Sequence, residues 1–342
     1  MNTFITGGAG FIGCNLAARC LRRGDGVTVF DNLSRPHTDT NLAWLRQQFG
    51  DERLHFIKGD VRDYESLRQA IAAAAPDLLV HYASQVAVTT SVKNPREDFE
   101  INALGTFNVL EAARALSSPP AVFFASTNKV YGGMEDVPVV LEGTRYCYRD
   151  LPQGISEQQP LDFHSPYGCS KGSGDQYVRD YARIYGMRTV VFRQSCIYGE
   201  RQFGVEDQGW VAHLVIAAAM NRLISIYGDG KQVRDLLYVQ DLLDAYDSAW
   251  SHLDVASGQV FNVGGGLSNT LSIWAEFGPI LERLAGRKIE VKHGDWRPGD
   301  QPVFISDNSK ARRVLGWEPR VSVQEGVNRL WNWVTSNPRL FS

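Results

Sequence analysis

The sequence predicts an α/β fold: a doubly wound parallel sheet of the Rossmann type, with a smaller C-terminal substrate-binding lobe. Three observations predict it. Short apolar segments alternate with amphipathic helical segments over the first half of the chain. A glycine-rich turn joins the first such strand to the first helix. After about Gly199 this alternation gives way to longer loops with clustered glycines.

The first half supplies strand and helix in regular succession. Each strand is a short apolar run, and each helix has apolar residues at intervals of three and four. Strands that alternate with helices in this way form a parallel sheet through right-handed crossovers. We predict strands at 3–6, 27–30, 54–58, 77–82, 121–126 and 189–193, and helices at 11–23, 64–74, 99–116 and 165–185.

The rest of the chain is predicted to contain one long loop and three further helices. Residues 132–163 combine Pro, Gly and charges without periodicity, which predicts a long loop. Further helices are expected at 239–253, 270–285 and 322–335. We therefore predict a dinucleotide-binding domain over 1–198 and a substrate-binding lobe over 199–342, with some chain crossing between the two.

The amino-acid composition limits which binding partners and which cell compartment we expect. A formal net charge of -3 argues against nucleic acid and anionic membranes as partners. The five cysteines are odd in number and lack close pairs, which favours neither a disulfide framework nor a metal site. No apolar run is long enough for a transmembrane helix, and the first strand begins at once. We expect a cytoplasmic protein without a metal.

The glycine turn has the chemistry of a phosphate-binding site. Gly7, Gly10 and Gly13 follow the first strand in a G-x-x-G-x-x-G pattern. The first glycine permits a tight turn, the second allows close approach of a pyrophosphate, and the third allows the helix to pack on the strand. The helix N-terminus then presents backbone N–H groups to an anion. Phe11 and Ile12, which open this helix, belong to the same predicted site.

Asp31 ends the second strand, where a carboxylate can bind the ribose hydroxyls of an adenosine. This favours NAD over NADP, because a carboxylate repels a 2′-phosphate. Arg35 is a counter-signal, since an arginine there can neutralise that phosphate. Asp60 and Val61 follow the third strand, where the adenine would lie. Asp60 is read equally well as a helix cap before Tyr64.

Tyr167 and Lys171 form a Y-x-x-x-K pair within a predicted helix. Positions i and i+4 share one helix face, so the phenol and the ammonium can reach the same point. A tyrosine of ordinary pKa is a weak base at neutral pH, and a nearby ammonium is expected to lower the pKa of Tyr167. Lys171 could also hold the nicotinamide ribose.

Hydroxyl groups end the fifth strand, at Ser126 and Thr127. In a doubly wound sheet the carboxyl ends of the strands face the cofactor. A hydroxyl there can bind both Tyr167 and a substrate oxygen. Together with the glycine turn, these elements predict proton and hydride transfer at a nicotinamide cofactor. His81, at the end of the fourth strand, is read as a packing residue.

With these motifs in place, the chain resembles the extended short-chain dehydrogenases/reductases that act on nucleotide sugars, over essentially its whole length. More narrowly, it is similar to epimerases that act at C2 of CDP-linked sugars. That narrower resemblance is carried by STNKVYG at 126–132, TRY at 144–146, LDFHSPYGCSKG at 161–172 and GKQVRD at 230–235, with QVAVTTS at 85–91 and RQF at 201–203.

The resemblance implies residue roles. Thr127 would be the hydroxyl partner of Tyr167 and Lys171, with Ser126 as its rival, and NAD would be tightly bound. The predicted cofactor contacts are Gly7, Gly10, Phe11, Ile12, Gly13, Asp31, Asn32, Ser34, Arg35, Asp60, Val61, Tyr82, Ala83, Ser84, Gln85, Asn102, Ser126, Tyr167 and Lys171. The predicted substrate contacts are Thr127, Asn128, Arg201, Arg234 and Arg297, the last two toward the diphosphate.

Asn128 and Lys129 help to select the reaction. The related 4,6-dehydratases carry an Asp-Glu pair at this place to eliminate water, and an amide and an amine lack that acid/base chemistry. The expected reaction is therefore epimerisation of a nucleotide-linked sugar, favouring a CDP-sugar at C2. The alternatives are a UDP-hexose 4-epimerase, a net oxidoreductase, and a non-catalytic NAD sensor. A homodimer or homotetramer is expected, with helices 99–116 and 165–185 as the pairing faces.

Overall fold

The protein is described by a computed structural model that covers residues 1–297 and 300–341. The described residues contain fifteen strands: β1 Asn2–Thr6, β2 Gly26–Asp31, β3 Leu54–Lys58, β4 Leu78–His81, β5 Ala121–Thr127, β6 Val139–Glu142, β7 Arg145–Tyr148, β8 Thr189–Gln194, β9 Cys196–Tyr198, β10 Ile224–Tyr227, β11 Val233–Tyr238, β12 Gln259–Val263, β13 Thr270–Ser272, β14 Val291–Gly294 and β15 Val303–Phe304.

The same residues contain thirteen α-helices: α1 Phe11–Arg22, α2 Thr38–Phe49, α3 Tyr64–Ala74, α4 Val88–Lys93, α5 Pro95–Phe99, α6 Gly105–Arg114, α7 Ser165–Tyr185, α8 Trp210–Ala219, α9 Val239–Ser251, α10 Leu253–Ala256, α11 Phe277–Ala285, α12 Ser309–Leu315 and α13 Val323–Ser336. A π-helical segment, Glu100–Leu104, joins α5 to α6, and 3₁₀ turns lie at Asn128–Tyr131, Leu267–Asn269 and Pro338–Leu340.

The chain forms two compact units, and its segments cross between them. The first unit comprises Met1–Val130, Ser165–Arg193 and Asp247–Phe261, and the second comprises Tyr131–His164, Gln194–Tyr246 and Asn262–Ser342. The domain boundary between residues 198 and 199, expected from the sequence, stays a prediction.

The first unit is built on a seven-stranded sheet with the order β12-β8-β5-β4-β1-β2-β3. The pairs β1–β2, β1–β4, β2–β3 and β4–β5 are all parallel. Buried apolar side chains of strands and helices form one core, which includes Phe4, Leu79, Val109, Phe124 and Val191. This is the predicted Rossmann-type α/β fold, and it brings the carboxyl ends of β1, β2, β4 and β5 to one edge of the sheet.

The second unit contains smaller sheets. Strand β11 lies between β13 and β15 and also pairs with β9 in parallel. Strands β10 and β14 form a parallel pair, and β6 and β7 form an antiparallel hairpin. The side chains of Val233, Val303 and Ile305 form a small core against that hairpin.

Three predicted elements differ from the observed ones. Residues 132–163 were predicted as a loop, but they contain the β6–β7 hairpin. The expected helix over 270–285 begins at Phe277, because residues 270–272 pair with β11 instead. The expected single helix over 99–116 is interrupted by the π-helical segment. Helix α2 lacked a strong apolar period and was not predicted.

Candidate functional site

The turn between β1 and α1 has a backbone that requires glycine. Gly7 has φ +67°, and a Cβ at this position would lie 2.6 Å from the backbone nitrogen of Ala83. A Cβ on Gly13 would overlap the carbonyl oxygen of Gly7. Gly10 is the N-cap of α1 and no side chain caps this helix. Backbone N–H groups of the first turn, at Phe11 and Ile12, are therefore available for an anion.

Asp31 lies beside this turn. Its carboxylate accepts hydrogen bonds from the N–H of Ala9, at 3.0 Å, and from the N–H of Leu33, at 2.8 Å. Burial raises the pKa of Asp31, and the two N–H groups and Arg35 oppose that rise. The structure thus brings the predicted ribose-binding carboxylate against the predicted pyrophosphate turn.

The neighbouring predicted contacts form a second polar group. Asn32 donates to Asp60 at 2.9 Å and accepts from the N–H of Ser34 at 3.0 Å. Arg62 binds Asp60 and lowers the pKa of that carboxyl to about 2. Asp60 does not cap α3, because the capping side chain is Asp63.

Val61 and the loop after β4 complete the predicted cofactor contacts. Val61 is buried, and its carbonyl accepts from Asn108. Ser84 and the backbone N–H of Gln85 donate to the side-chain oxygen of Asn102, at 2.8 and 2.9 Å. The amide nitrogen of Asn102 returns a bond to the carbonyl of Gln85. Asn102 therefore fixes the loop that begins with Tyr82 and Ala83.

Helix α7 carries Tyr167 and Lys171 on one buried face. Small residues let this helix lie close to its neighbours: a Cβ on Gly174 would come within 3.0 Å of the Phe124 ring and 3.1 Å of the Thr106 hydroxyl. Lys171 is 4% exposed, and its Nζ lies 4.3 Å from the centroid of the Phe124 ring. The face of α7 that carries the pair therefore packs against Phe124 of β5.

The neighbouring hydroxyl of Thr127 acts to lower the pKa of the Tyr167 phenol. Burial outweighs this effect and raises the pKa of Tyr167 to about 12. The net effect is therefore a rise, and the expected contribution of the Lys171 ammonium stays a prediction. Burial lowers the pKa of Lys171 itself to about 7, against the attraction of Asp175 and Asp98.

Ser126 has a different partner from Thr127. Its hydroxyl donates to Asp175 of α7 at 2.7 Å. Asp175 also receives two bonds of 2.9 Å from the guanidinium of Arg193, and this ion pair is fully buried. Sequence reasoning missed both residues, although Asp175 follows Lys171 by four positions and shares its helix face. The Ser126 hydroxyl is thus already bonded to Asp175, and the role of Thr127 as the partner of Tyr167 stays a prediction.

His81 spans the space between two threonines. Its ring nitrogens lie 2.7 Å from the hydroxyl of Thr6 and 3.0 Å from that of Thr106. Burial lowers the pKa of His81 to about 3, so the imidazole is neutral. This fits a packing role at the end of β4. Asn128, also buried, accepts from the Thr127 hydroxyl at 3.3 Å.

The three predicted substrate-binding arginines belong to the second unit, where each has a protein partner. Arg234 is buried and bonds Asp300 at 2.5 Å. The guanidinium of Arg297 lies 4.1 Å from the Tyr227 ring centroid and pairs with two acidic side chains, those of Glu206 and Asp207. Arg201 has φ +68° and lies 5.7 Å from the Trp333 ring centroid.

Two general properties accompany this site. Across residues 1–297 and 300–341, no group of three or more His, Cys, Asp or Glu side chains has a metal-binding arrangement. None of the helices in the described part of the chain has the length and apolar character needed to cross a bilayer.

Known proteins are similar to this chain over nearly its whole length. Residues 4–330 match the family model described as GDP-mannose 4,6 dehydratase. The chain is 43% identical to the CDP-paratose 2-epimerase of Salmonella typhi, over 98% of this chain and 100% of that protein. It is 32% identical to the UDP-glucose 4-epimerase of Mycolicibacterium smegmatis, over 96% of each.

A solved structure extends the comparison to three dimensions. The UDP-glucose 4-epimerase of Thermus thermophilus, in complex with NAD, superposes with a TM-score of 0.81 at 30% identity, covering 97% of this chain and 98% of that one. From the glycine turn, the Tyr167–Lys171 helix and these matches, we conclude that the chain belongs to the GDP-mannose 4,6 dehydratase family, within the extended short-chain dehydrogenases/reductases.

Proposed function

We propose that this protein is an isomerase that uses tightly bound NAD to invert C2 of CDP-paratose, giving CDP-tyvelose through a transient keto-sugar. The observation that carries this proposal is the buried arrangement of Thr127, Tyr167 and Lys171 at the carboxyl end of β5. The 43% identity to a CDP-paratose 2-epimerase over nearly the whole of both chains supports the choice of sugar and carbon.

The first unit has the groups that NAD requires. The backbone turn at Gly7, Gly10 and Gly13 would hold the pyrophosphate, and Asp31 would accept from the adenosine ribose hydroxyls. Lys171 would hold the nicotinamide ribose. When bound, NAD supplies a hydride acceptor and donor and a positively charged ring.

Tyr167 would act as the base and the acid at one sugar hydroxyl. Thr127, which neighbours the phenol, would hold the sugar oxygen in line with it. Because burial raises the pKa of Tyr167 to about 12, the phenolate needs positive charge nearby. The ammonium of Lys171 provides part of that charge. After the keto-sugar turns over in the site, the same phenol returns its proton to the oxygen.

Asn128 and Lys129 favour epimerisation over loss of water. Asn128 is buried, and its side-chain oxygen already accepts from Thr127. An amide neither gives nor takes a proton at neutral pH, so it cannot catalyse elimination. The keto-sugar would therefore be reduced again without losing a hydroxyl.

Arg234 and Arg297 would bind the nucleotide diphosphate, and Arg201 would contact the sugar. Each would exchange a protein partner for the ligand, as in the 2.5 Å pair of Arg234 with Asp300. Phosphate oxygens suit a guanidinium better than a single carboxylate contact does. The nucleotide would then anchor the substrate while the sugar ring reorients.

A homodimer or homotetramer in the cytoplasm completes the proposal. Exposed apolar side chains cluster on α6, α7 and the π-helical segment; they are Leu104, Phe107, Tyr177, Ile184 and Tyr185. The rings of Phe107 and Tyr177 already form an edge-to-face pair with centroids 5.8 Å apart. Such a patch favours pairing with a second copy.

The test is incubation of the purified protein with CDP-paratose in deuterated buffer, without added NAD, followed by NMR. We expect CDP-tyvelose that carries no solvent deuterium at C2, because the hydride is returned internally. Deuterium at C2 would contradict hydride transfer. Inversion of UDP-glucose at C4, with CDP-paratose unchanged, would support the UDP-hexose 4-epimerase instead.

Two other outcomes separate the remaining alternatives. Net consumption of added NADH would indicate an oxidoreductase. A Tyr167→Phe variant that retains the biological activity of the protein would indicate an NAD sensor, since sensing needs no reactive phenol.

A further inference from the structure

Asp98, near the end of α5, is a buried carboxylate outside the motifs described above. It is 0% exposed. Its Oδ1 accepts from the side-chain amides of Gln85, at 2.8 Å, and Asn102, at 3.1 Å. Its Oδ2 accepts from the hydroxyl of Ser170 at 2.5 Å. Three hydrogen bonds therefore hold one carboxylate in a fixed orientation.

These bonds join the catalytic helix to the loop that follows β4. Ser170 directly precedes Lys171, and its hydroxyl also lies 3.2 Å from the carbonyl oxygen of Tyr167. Asn102 contacts Ser170 at 3.2 Å and holds Gln85 at the same time. The turn of α7 between Tyr167 and Lys171 is thus attached to Asp98.

Two carboxylates, those of Asp175 and Asp98, attract the ammonium of Lys171. Asp175 is also bound by Arg193 through two 2.9 Å bonds, so part of its negative charge is already compensated. No basic side chain in the described residues forms an ion pair with Asp98. The electrostatic attraction of Asp98 reaches Lys171, and its repulsion reaches the phenol of Tyr167.

The other groups that face Lys171 do not supply this charge. They are the neutral imidazole of His81 on β4, the ring of Phe124 on β5, and Tyr167 and Asp175 on α7. Since a buried ammonium needs a compensating anion and Asp175 is shared with Arg193, Asp98 is the carboxylate without a cation of its own.

We propose that Asp98 is a positioning residue: its carboxylate anchors the Ser170–Lys171 turn of α7 and provides the negative charge that keeps the ammonium of Lys171 protonated. The part that Lys171 plays in the reaction rests on the proposed function, but its protonation can be measured without any substrate. Removing the negative charge of Asp98 should lower the pH at which Lys171 loses its proton. Removing the Ser170 hydroxyl should not.

Two matched variants separate charge from hydrogen bonding. In Asp98→Asn the side-chain oxygen can still accept from Gln85 and Asn102, and the new amide can donate to Ser170, which then donates to the carbonyl of Tyr167. This variant loses the charge and keeps the contacts. Ser170→Ala loses the hydroxyl that contacts Asp98, Asn102 and the Tyr167 carbonyl, and it keeps the charge. Asp98→Ser, which leaves room for water beside the donors, replaces the asparagine variant if that one does not fold.

The experiment is a pH titration of the full-length protein labelled with ¹³Cε-lysine and followed by NMR. The chain has eight lysines, and Lys171→Arg identifies the signal of Lys171. We expect Asp98→Asn to lower the midpoint of Lys171 by about one pH unit or more, a tenfold change in the ratio of charged to neutral amine. Ser170→Ala should change it by no more than about 0.3 units.

The steady-state pH profile gives a second measurement. In Asp98→Asn the alkaline limb of the kcat/KM profile should move to lower pH by as much as the Lys171 midpoint does. The fall in kcat should be larger than the rise in KM. An unchanged Lys171 midpoint in Asp98→Asn, or an equal fall in Ser170→Ala, would overturn the proposal. If the Lys171 midpoint shifts in Asp98→Asn but the wild type has no epimerase activity, the proposed function is contradicted and the role of Asp98 is still supported.

Discussion

Two buried carboxylates, Asp175 in the first unit and Asp235 in the second, are stabilised in different ways. Asp175 forms a bidentate ion pair with Arg193 and accepts from Ser126. Asp235, equally buried, has only neutral donors: the hydroxyl of Ser195 and two backbone N–H groups, those of Ser306 at 3.0 Å and Gly266 at 3.1 Å. Burial raises the pKa of Asp235 despite these bonds.

The difference shows what each carboxylate does. Asp175 lies one helical turn after Lys171. Because the guanidinium of Arg193 compensates its charge, this ion pair adds no net charge beside the reactive groups. Asp235 uses both oxygens to hold loops of the second unit, including the glycine run that begins at Gly264. Breaking the first arrangement leaves a charge unpaired, whereas breaking the second removes hydrogen bonds. The following variants test that contrast.

Tyr167→Phe should produce the largest effect, because it removes the proton-transferring group and none of the buried charges. We expect kcat to fall by about 10³-fold or more, with the free energy of unfolding changed by less than about 1 kcal/mol. Initial rates and urea denaturation check these two quantities. A large loss of stability with retained kcat would show that the phenol is structural.

Arg193→Met should produce the largest loss of stability, because Asp175 is left buried without its cation. The expected cost is about 3–5 kcal/mol in the free energy of unfolding, measured by urea denaturation. The double variant Arg193→Met/Asp175→Leu removes both charges and should recover most of that loss. Equal destabilisation in the single and double variants would mean that shape, and not charge, dominates at this pair.

Asp235→Asn should cost less, about 1–3 kcal/mol, because no charge is left unpaired. The pKa of Asp235 is raised in the folded protein, so the folded state binds its proton more tightly than the unfolded state. The wild type therefore gains stability relative to Asp235→Asn as the pH falls from about 7 toward about 4. Unfolding of both proteins at several pH values checks this sign, and a gap that narrows in acid would contradict it.

The smallest effects are expected from Ser126→Ala and Ser195→Ala, which remove one hydroxyl from each carboxylate. Both should cost about 1 kcal/mol. Ser195→Ala should cost more, since Asp235 then has only backbone donors, whereas Asp175 keeps Arg193. Thermal unfolding of the two variants, measured in parallel, shows which substitution costs more stability. A larger cost in Ser126→Ala would show that Arg193 does not protect Asp175.

Local patterns predicted much of the fold and part of the candidate site. The alternation of strands and helices predicted the sheet, and the spacing of Gly7, Gly10 and Gly13 predicted the turn that the structure contains. Asp31 beside that turn followed from strand length, because parallel strands end at one edge. Tyr167 and Lys171 share a face because four residues make about one helical turn.

Other features came from residues that are distant in the chain. The hairpin β6–β7 has weak periodicity, and it packs on Val233, Val303 and Ile305, which lie far along the chain. The π-helical segment places Asn102 where one amide meets both the Gln85 loop and Ser170. Neither the spacing nor the residue types of this part of the chain predicted such contacts.

The sequence by itself determined the class of sheet, the glycine turn and the Tyr167–Lys171 pair, because each depends on residues within one strand, one turn or one helix. Only the tertiary structure decided that Ser126 bonds to Asp175, and that burial raises the pKa of Tyr167. The physical reason is that desolvation and charge compensation depend on every element packed around a group, and no local pattern contains that information.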